Sequence, residues 1–300
     1  VIAREPAASP ARKGRVAFVS CEALPELTSD DRLALDLLAA RGHDTRAVVW
    51  TDATVDWAAF DVIVLRSCWD YHLRPHDFAA WLDLLADVRA PLENAVALAR
   101  WNMEKGYLRD LEERGVPVVP TTWLEPGTPQ SLAALRASTG WTDIVVKPAI
   151  SATAWRLFRL PADVEVWPPE LAQALEVQRF LAQPFQDAIM AGEWSLVFFD
   201  GSFSHAVLKR PRPGDFRVQN DYGGSAEPGP PPAGMIAAAA RVLDSLPKRP
   251  LYARVDGVDT ARGLVLLELE LLEPALFLAS DAAAPTRFVE AIERRMSGVG

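Results

Sequence analysis

The sequence predicts an α/β protein in which a parallel sheet near the N-terminus is followed by antiparallel α+β units. Three observations carry this. A helix is interleaved with strands between Arg15 and Ser67. The apolar runs there are continuous rather than alternating, as in strands covered on both faces. From Val116 onward, strand runs separated by turns take over from helices.

Taken in order, RVAFVSC (15–21) is a short β-branched run. Thr28-Ser29-Asp30 supplies a helix N-cap, and DRLALDLLAARG carries helical spacing that ends on Gly42. Strands follow at TRAVVW (45–50) and, after Asp56 to Phe60, at DVIVLRS (61–67). Ligands of a parallel sheet sit beyond the carboxyl ends of its strands. The loop Arg66, Ser67, Cys68, Trp69, Asp70 and Tyr71 is thus a candidate substrate site, with Arg66 suited to holding a carboxylate in a fork. After Pro91-Leu92-Glu93-Asn94, WNMEKGYLRDLEERG (101–115) reads as one helix stopped by Gly115, and VPVVPT (116–121) as a strand. Further strands are expected in WTDIVVKPAI, LAQPF, EWSLVFFDGSFSHAVLKR and LYARVDGVDTARGLVLLELELLEP. Asp200-Gly201 is the tight turn of a hairpin. AEPGPPPAG (226–234) reads as a surface connection before the helix MIAAAARVLDSL.

The 300 residues, half of them apolar, suffice for roughly two domains and a core that needs no disulfide. Cys21 and Cys68 form no CxxC pair, which fits a reducing compartment and excludes a zinc ribbon. A net charge of −9 argues against a sequence-independent nucleic-acid binder. No apolar run reaches the ~18 residues of a membrane span, and VIAREPAASPARKG lacks a signal-peptide core. A cytoplasmic protein with a flexible segment over 1–14 is the expectation, and the helical stretches RVLDSL and RFVEAIERRM offer faces for a homo-oligomer.

The last hairpin holds the most chemistry. With period-two alternation, Leu267, Leu269 and Leu271 share one face and Glu268 and Glu270 the other. Arg254 and Asp256 share a face of the preceding strand, and a turn at Asp259–Gly263 lays the two strands side by side. Asp256, Glu268 and Glu270 then converge, and carboxylates that close call for a hard cation such as Mg²⁺. A charge-paired sheet face, Arg254 against a glutamate, is the alternative. Mg²⁺ held by few carboxylates shares its shell with phosphates, so cations matter next. Lys147 ends an apolar strand, Lys209 ends another on the face of His205 and Phe203, and Lys105 lies in the helix at the domain junction. Neither GxxxxGK[ST] nor GxGxxG occurs.

Read end to end, WNMEK, VVKP, LAQPF, GEWSLVFFDG, HAVLKRP, GDFRVQ, Gly223-Gly224, YARVDGV and LELELLEP resemble the ATP-grasp ligases, over about Pro91 to Leu278. They are most similar to the glutathione synthetase and RimK-like branch. KPAIS, SLVFFDGSFSHAVLK and GDFRVQ resemble the cyclo-ligases that form D-cycloserine from O-ureidoserine, an antibiotic biosynthesis.

The resemblance implies an N-terminal substrate-side domain (15–95), a central ATP-grasp subdomain (96–182) and a C-terminal subdomain with the metal site (183–300). It implies ATP phosphates on Lys105, Lys147 and Ser151, adenine on the backbone at Gln183, Pro184 and Phe185, and ribose on Glu193. Lys209, Arg217 and Arg254 would act on the γ-phosphate and an acyl phosphate. Asp256, Glu268 and Glu270 would hold one or two Mg²⁺. Substrate choice would rest on Arg66, Ser67, Trp69, Asp70 and Tyr71. Two departures stand out: Glu270 occupies a position that is commonly Asn, and the lid candidate 151–158 has no glycine. His205 and Asp70 are the candidate bases. The implied activity is carboxylate phosphorylation followed by attack of an amine, possible within one molecule as a cyclo-ligase or between two as a peptide ligase. The rivals are an inactive nucleotide binder and a carboxylate protein binding Mg²⁺ or Ca²⁺ without ATP.

Overall fold

The structure, a computed structural model, describes residues 13–127, 130–219 and 222–298. The expected flexible segment lies, for residues 1–12, outside them. β1 (Arg15–Ser20), α1 (Ser29–Ala40), β2 (Asp44–Val49), β3 (Val62–Ser67), α2 (Pro75–Asp87) and β4 (Leu92–Glu93) build the first layer. Its sheet is parallel, in the order β2-β1-β3-β4. Both faces are covered, which accounts for the continuous apolar runs: Val16 and Phe18 pack with Leu35 and Leu38 of α1, and Val19 and Leu65 with Phe78, Leu82 and Leu85 of α2. The Asp31 N–H donates to Thr28 Oγ1, which caps α1. Gly42, at φ +92°, lets the chain leave that helix.

Two helices, α3 (Val96–Met103) and α4 (Tyr107–Glu113), replace the single one expected over 101–115. The break falls where Glu104 turns extended and the Lys105 N–H donates to Ala149 O at 2.8 Å, a long-range partner in place of a helical one. Lys105 is a junction residue rather than a helical one. The strand expected over 116–121 reduces to one bridge between Val118 and Leu266, because Pro117 and Pro120 lack the donors a ladder needs.

β5 (Thr122–Leu124), α5 (Leu132–Thr139), β6 (Ile144–Pro148), β7 (Phe158–Leu160), α6 (Pro169–Leu175) and β8 (Phe180–Pro184) form a second, antiparallel unit in the order β5-β8-β6-β7. The third sheet joins β9 (Glu193–Phe199), β10 (Ser202–Arg210), β11 (Ser225–Pro228), β12 (Tyr252–Thr260) and β13 (Gly263–Glu270), all antiparallel, in the order β11-β10-β9-β12-β13. Asp200 and Gly201 both have positive φ, as the two-residue turn between β9 and β10 requires. β11 takes the first part of the segment expected to be a plain connection; it is an edge strand, where Pro228 costs no ladder bond.

Two bulges rephase this sheet. One, at Ser204, sends Phe203 against Phe198 and leaves His205 on the opposite face with Lys209, so the expected trio on one face is a pair. The other sets Asp256 opposite Glu268 and Gly257 opposite Leu266, which makes Leu267 the extra residue. Leu264, Leu266, Leu269 and Leu271 therefore enter one core, and Leu267 turns toward a cleft. α7 (Met235–Asp244) buries Met235, Ala239, Val242 and Leu243 against the third sheet. α8 (Ala284–Met296) returns to the first layer and buries Phe288, Val289 and Ile292 there. Both helices thus bury their apolar faces within the chain, where faces for a second copy had been expected.

Candidate active site

A cleft of about 370 Å³, small-molecule sized, opens where the three sheets meet. Its charged floor comes from β12 and β13. Their pairing puts Arg254 directly across from Glu270 and Asp256 across from Glu268. Arg254 donates from Nε and Nη2 to Asp256, Nε–Oδ1 and Nη2–Oδ2 both being 2.9 Å, and from Nη2 to Glu270 Oε1. Asp256 also accepts from Ser195 Oγ at 2.7 Å and from Lys209 Nζ at 3.1 Å. Lys209 Nζ in turn pairs with Glu193. Lys147 Nζ donates to Glu268 Oε1 at 2.8 Å, and Lys105 Nζ stands 3.9 Å from the same oxygen while donating to Ser151 Oγ at 3.0 Å.

Opposing forces split the carboxyl groups. Burial alone would raise Glu268, but Lys147 and Lys105 outweigh it and hold the group at about 2. Burial pushes Glu270 up to about 8, with Arg254 opposing and Asp256 adding to the rise. For Asp256, burial is overcome by Arg254 and Lys209, and the group stays well below the usual range.

The nucleotide-side candidates line the same cleft. Ser151, Gln183, Pro184, Phe185, Glu193, Lys209 and Arg217 all border it. Gln183 Nε2 is spent on Thr121 Oγ1, and the Phe185 N–H on Asp143 O at 2.9 Å, which withdraws that donor from any base. The Phe185 ring remains, edge-on to Phe216 and under the Arg159 guanidinium at 3.6 Å. Arg217 faces the cleft with its fork closed on Asp215.

The loop after β3 divides. Trp69 and Tyr71 reach the cleft, whereas Arg66, Ser67 and Asp70 do not border it. Arg66 is 1% exposed. Its Nε donates to Asp31 Oδ1 at 2.9 Å and its Nη2 to Pro274 O at 2.5 Å, leaving no fork for a substrate carboxylate. Ser67 Oγ donates to Asp31 Oδ2. Asp70 accepts from Trp50 Nε1 and Arg74. Neither base candidate stands at the cleft, for His205 Nε2 donates to Leu276 O at 2.8 Å.

These side chains share an unexpected task. The carbonyls of Leu271, Leu272, Glu273, Pro274, Ala275 and Leu276 accept in turn from Asn94, Tyr252, Trp69, Arg66, Arg254 and His205. The lid candidate lines the cleft from Ser151 to Trp155, with Thr153, Ala154 and Arg156 in left-handed conformation despite having side chains. The Trp155 ring lies 5.3 Å from that of His72, at the base of the first layer's loop.

A metal ion has to be tested against this donor set. Among the described residues no three carboxylate, imidazole or thiol groups gather closely enough to hold one by themselves. Asp256 has its oxygens occupied by Arg254, Lys209 and Ser195. Glu268 and Glu270 have side chains 28% and 24% exposed. Two open carboxylates suit Mg²⁺, which completes its shell with phosphate oxygens and water.

Comparison with known proteins decides the family. Residues 16–94 match the family described as D-cycloserine synthetase DcsG, N-terminal domain. The chain is 34% identical over 272 residues to the cycloserine biosynthesis protein DcsG of Streptomyces lavendulae, covering 82% of this chain and 87% of that protein. The chain belongs to the DcsG family. The crystal structure of D-cycloserine synthetase DcsG superposes with a TM-score of 0.83 at 29% identity, covering 94% of this chain and all of that one. The ATP-grasp ligase PsnB, solved with a phosphomimetic minimal precursor, Mg and ADP, has a TM-score of 0.62 at 15% identity over 92% and 97% of the two chains. This DcsG-family chain therefore has the ATP-grasp fold, with the parallel layer and antiparallel units the sequence predicts.

Sequence reasoning passed over Glu273, Tyr107, Asn102 and Phe216, which border the cleft as well. For Glu273 a signal existed: an acid closing an apolar run stands out in the same way as Lys147.

Proposed function

We propose that this ATP-dependent ligase phosphorylates the carboxylate of a small amino-acid-like substrate and closes the activated carbonyl onto a nitrogen of the same molecule, as a cyclo-ligase of the cycloserine type. The reading rests on one observation: four cations, Lys105, Lys147, Lys209 and Arg254, gather around Asp256, Glu268 and Glu270 in a cleft that the first layer also borders.

Phosphoryl transfer depends on positioning and on absorbing charge at the phosphate oxygens. Among the described residues, Lys105 and Lys147 are bound within the cleft by Ser151 and Glu268 alone, so incoming phosphates replace those contacts. Glu268 and Glu270 are the residues that would hold Mg²⁺, one ion or two, whose bound charge neutralises the phosphates. Asp256 holds Arg254 and Lys209 in fixed positions. The Phe185 and Phe216 rings offer the flat apolar wall for adenine, beside Gln183 and Pro184, and Glu193 faces the ribose side. Arg217 joins the phosphates by exchanging Asp215 for them.

The substrate carboxylate oxygen attacks the γ-phosphorus and ADP leaves. The substrate nitrogen then attacks the acyl carbon, its proton departs, and inorganic phosphate leaves from that carbon. Lys209 and Arg254 stabilise the acyl phosphate, and the segment 151–158 excludes water that would hydrolyse it. Cys21 and Cys68, buried and unpaired, suit the reducing cytoplasm in which we place the reaction.

The test is ADP release with mass analysis of products. O-ureidoserine as sole co-substrate should give ADP, inorganic phosphate and cycloserine, with the carbamoyl group on the ring-closing nitrogen removed by water as carbon dioxide and ammonia. ADP release only with two separate amino acids, yielding a linear amide, overturns ring closure in favour of a peptide ligase. No turnover with any of them, and no rise in melting temperature with Mg²⁺ and ATP, overturns the ligase itself.

A further inference from the structure

The loop 271–276 is built to present one group. Six successive carbonyls accept from side chains of Asn94, Tyr252, Trp69, Arg66, Arg254 and His205, drawn from several separate parts of the chain. So complete a set of anchors fixes the backbone. The only ionisable side chain in that loop is Glu273, and it is the exception to the pattern. It is 8% exposed and borders the cleft beside Trp69, Tyr71 and Ala275. Among the described residues no side chain donates to its carboxylate or pairs with it; its own backbone N–H is the one donor. Trp69 Nε1 donates to the Glu273 carbonyl at 3.0 Å and leaves the carboxylate alone. Arg254, Lys105 and Arg66 act on it from a distance, and each spends its hydrogen bonds elsewhere.

A buried carboxylate without a partner is costly, and a fold that rigidly presents one at a cleft has a cationic ligand group to meet it. The cations of the nucleotide side are already committed to phosphates. With Mg²⁺ assigned to Glu268 and Glu270, the remaining cation in the reaction is the substrate's own. We infer that Glu273 is the anchor for the ammonium group of the amino-acid substrate, an inference that rests on the ligase reading above. It is a specificity-determining residue: it sets which carboxylic acids enter, while the reacting carboxylate lies toward Lys209 and Arg254. Burial pushes the Glu273 carboxyl up to about 7 against the pull of Arg254, Lys105 and Arg66, so a positive group beside it would favour the charged form. Arg66, through Pro274 O, becomes a positioning residue for Glu273 in place of a substrate ligand.

The experiment compares wild type, Glu273→Gln and Glu273→Asp on O-ureidoserine and on its analogue lacking the α-amino group, by ADP release and by calorimetric titration with Mg²⁺ and a non-hydrolysable ATP analogue bound. Wild type should favour the amino compound at least tenfold in KM. Glu273→Gln should lose that preference, with KM for the amino compound up about 10- to 100-fold, kcat changed less than threefold, and affinity for Mg²⁺ and nucleotide unchanged. Glu273→Asp should restore part of the preference. Equal loss on both compounds, or weakened Mg²⁺-dependent nucleotide binding in Glu273→Gln, overturns the ammonium anchor. If wild type turns over neither compound, the ring-closing reading fails separately. The anchor is then judged by titrating serine against 3-hydroxypropanoate: a preference for serine that Glu273→Gln abolishes upholds it, and equal binding overturns it.

Discussion

Two arginine–carboxylate pairs, each at a strand of this molecule, serve opposite ends. Arg66 and Asp31 have side chains 0% and 3% exposed. Every bond they make is internal: Arg66 donates to Asp31, Leu65 O and Pro274 O and lies over the Tyr252 ring, and Ser67 fills the second Asp31 oxygen. Arg254 is largely buried too, at 9% exposed, but it borders the cleft, and Glu270, one of its partners, and Glu268 beside it turn open sides to it. The same ion-pair chemistry acts as a buttress when all its lone pairs and protons are consumed, and as a site when some are left over. The buttress serves the site, because its outermost bond fixes the Glu273 loop.

The comparison breaks most visibly if one half of the closed pair is removed. Arg66→Met leaves Asp31 charged and buried, and should cost about 3–5 kcal/mol in chemical denaturation. The double variant Asp31→Leu/Arg66→Met should recover most of that, since an apolar replacement of a buried pair is often neutral. The carboxylates at the open pair, Glu270 and its neighbour Glu268, should respond the other way. Glu268→Gln should lower kcat by roughly 100- to 1,000-fold in the ADP-release assay, with little change in melting temperature. Next in size is the lid. Trp155→Ala removes its contact with His72 and should let water reach the acyl phosphate, so that ADP formed exceeds ring product by about twofold or more. The smallest effect concerns protons. Glu270 and Glu273 titrate at about 8 and about 7 in the fold against 4.5 for the free group. The folded state then holds protons that the unfolded chain has released, so their contribution is fully present below pH 4.5 and is lost as pH rises through 7 to 8. Melting temperature of the metal-free protein should therefore fall from pH 5 to pH 9, and less so in Glu273→Gln.

Much of this was legible because it is local. Period two in the last hairpin showed Arg254 with Asp256 and Glu268 with Glu270, Asp200-Gly201 showed its turn, and the lysine ending an apolar run showed Lys147. What stayed hidden depends on distant partners. Arg66 reads as a ligand until Asp31, a helix residue far earlier in the chain, is brought against it. The helix break at Lys105 is made by Ala149 O, and no feature around Lys105 announces that bond. Leu267 leaves its expected face because an extra residue enters the strand, and simple alternation cannot register a bulge. Glu273 lies past the strand's end, where no period applies; an acid closing an apolar run marks it in the sequence, but the anchoring of six carbonyls is what gives it meaning.

The central claim, that the open pair and Glu268 beside it bind the reactants and the closed pair only holds the frame, is tested most directly by calorimetric titration of ATP with Mg²⁺ into wild type, Asp31→Leu/Arg66→Met and Glu268→Gln. Wild type and the double variant should bind alike, and Glu268→Gln at least tenfold more weakly. Unimpaired binding by Glu268→Gln together with loss in the double variant would contradict the account.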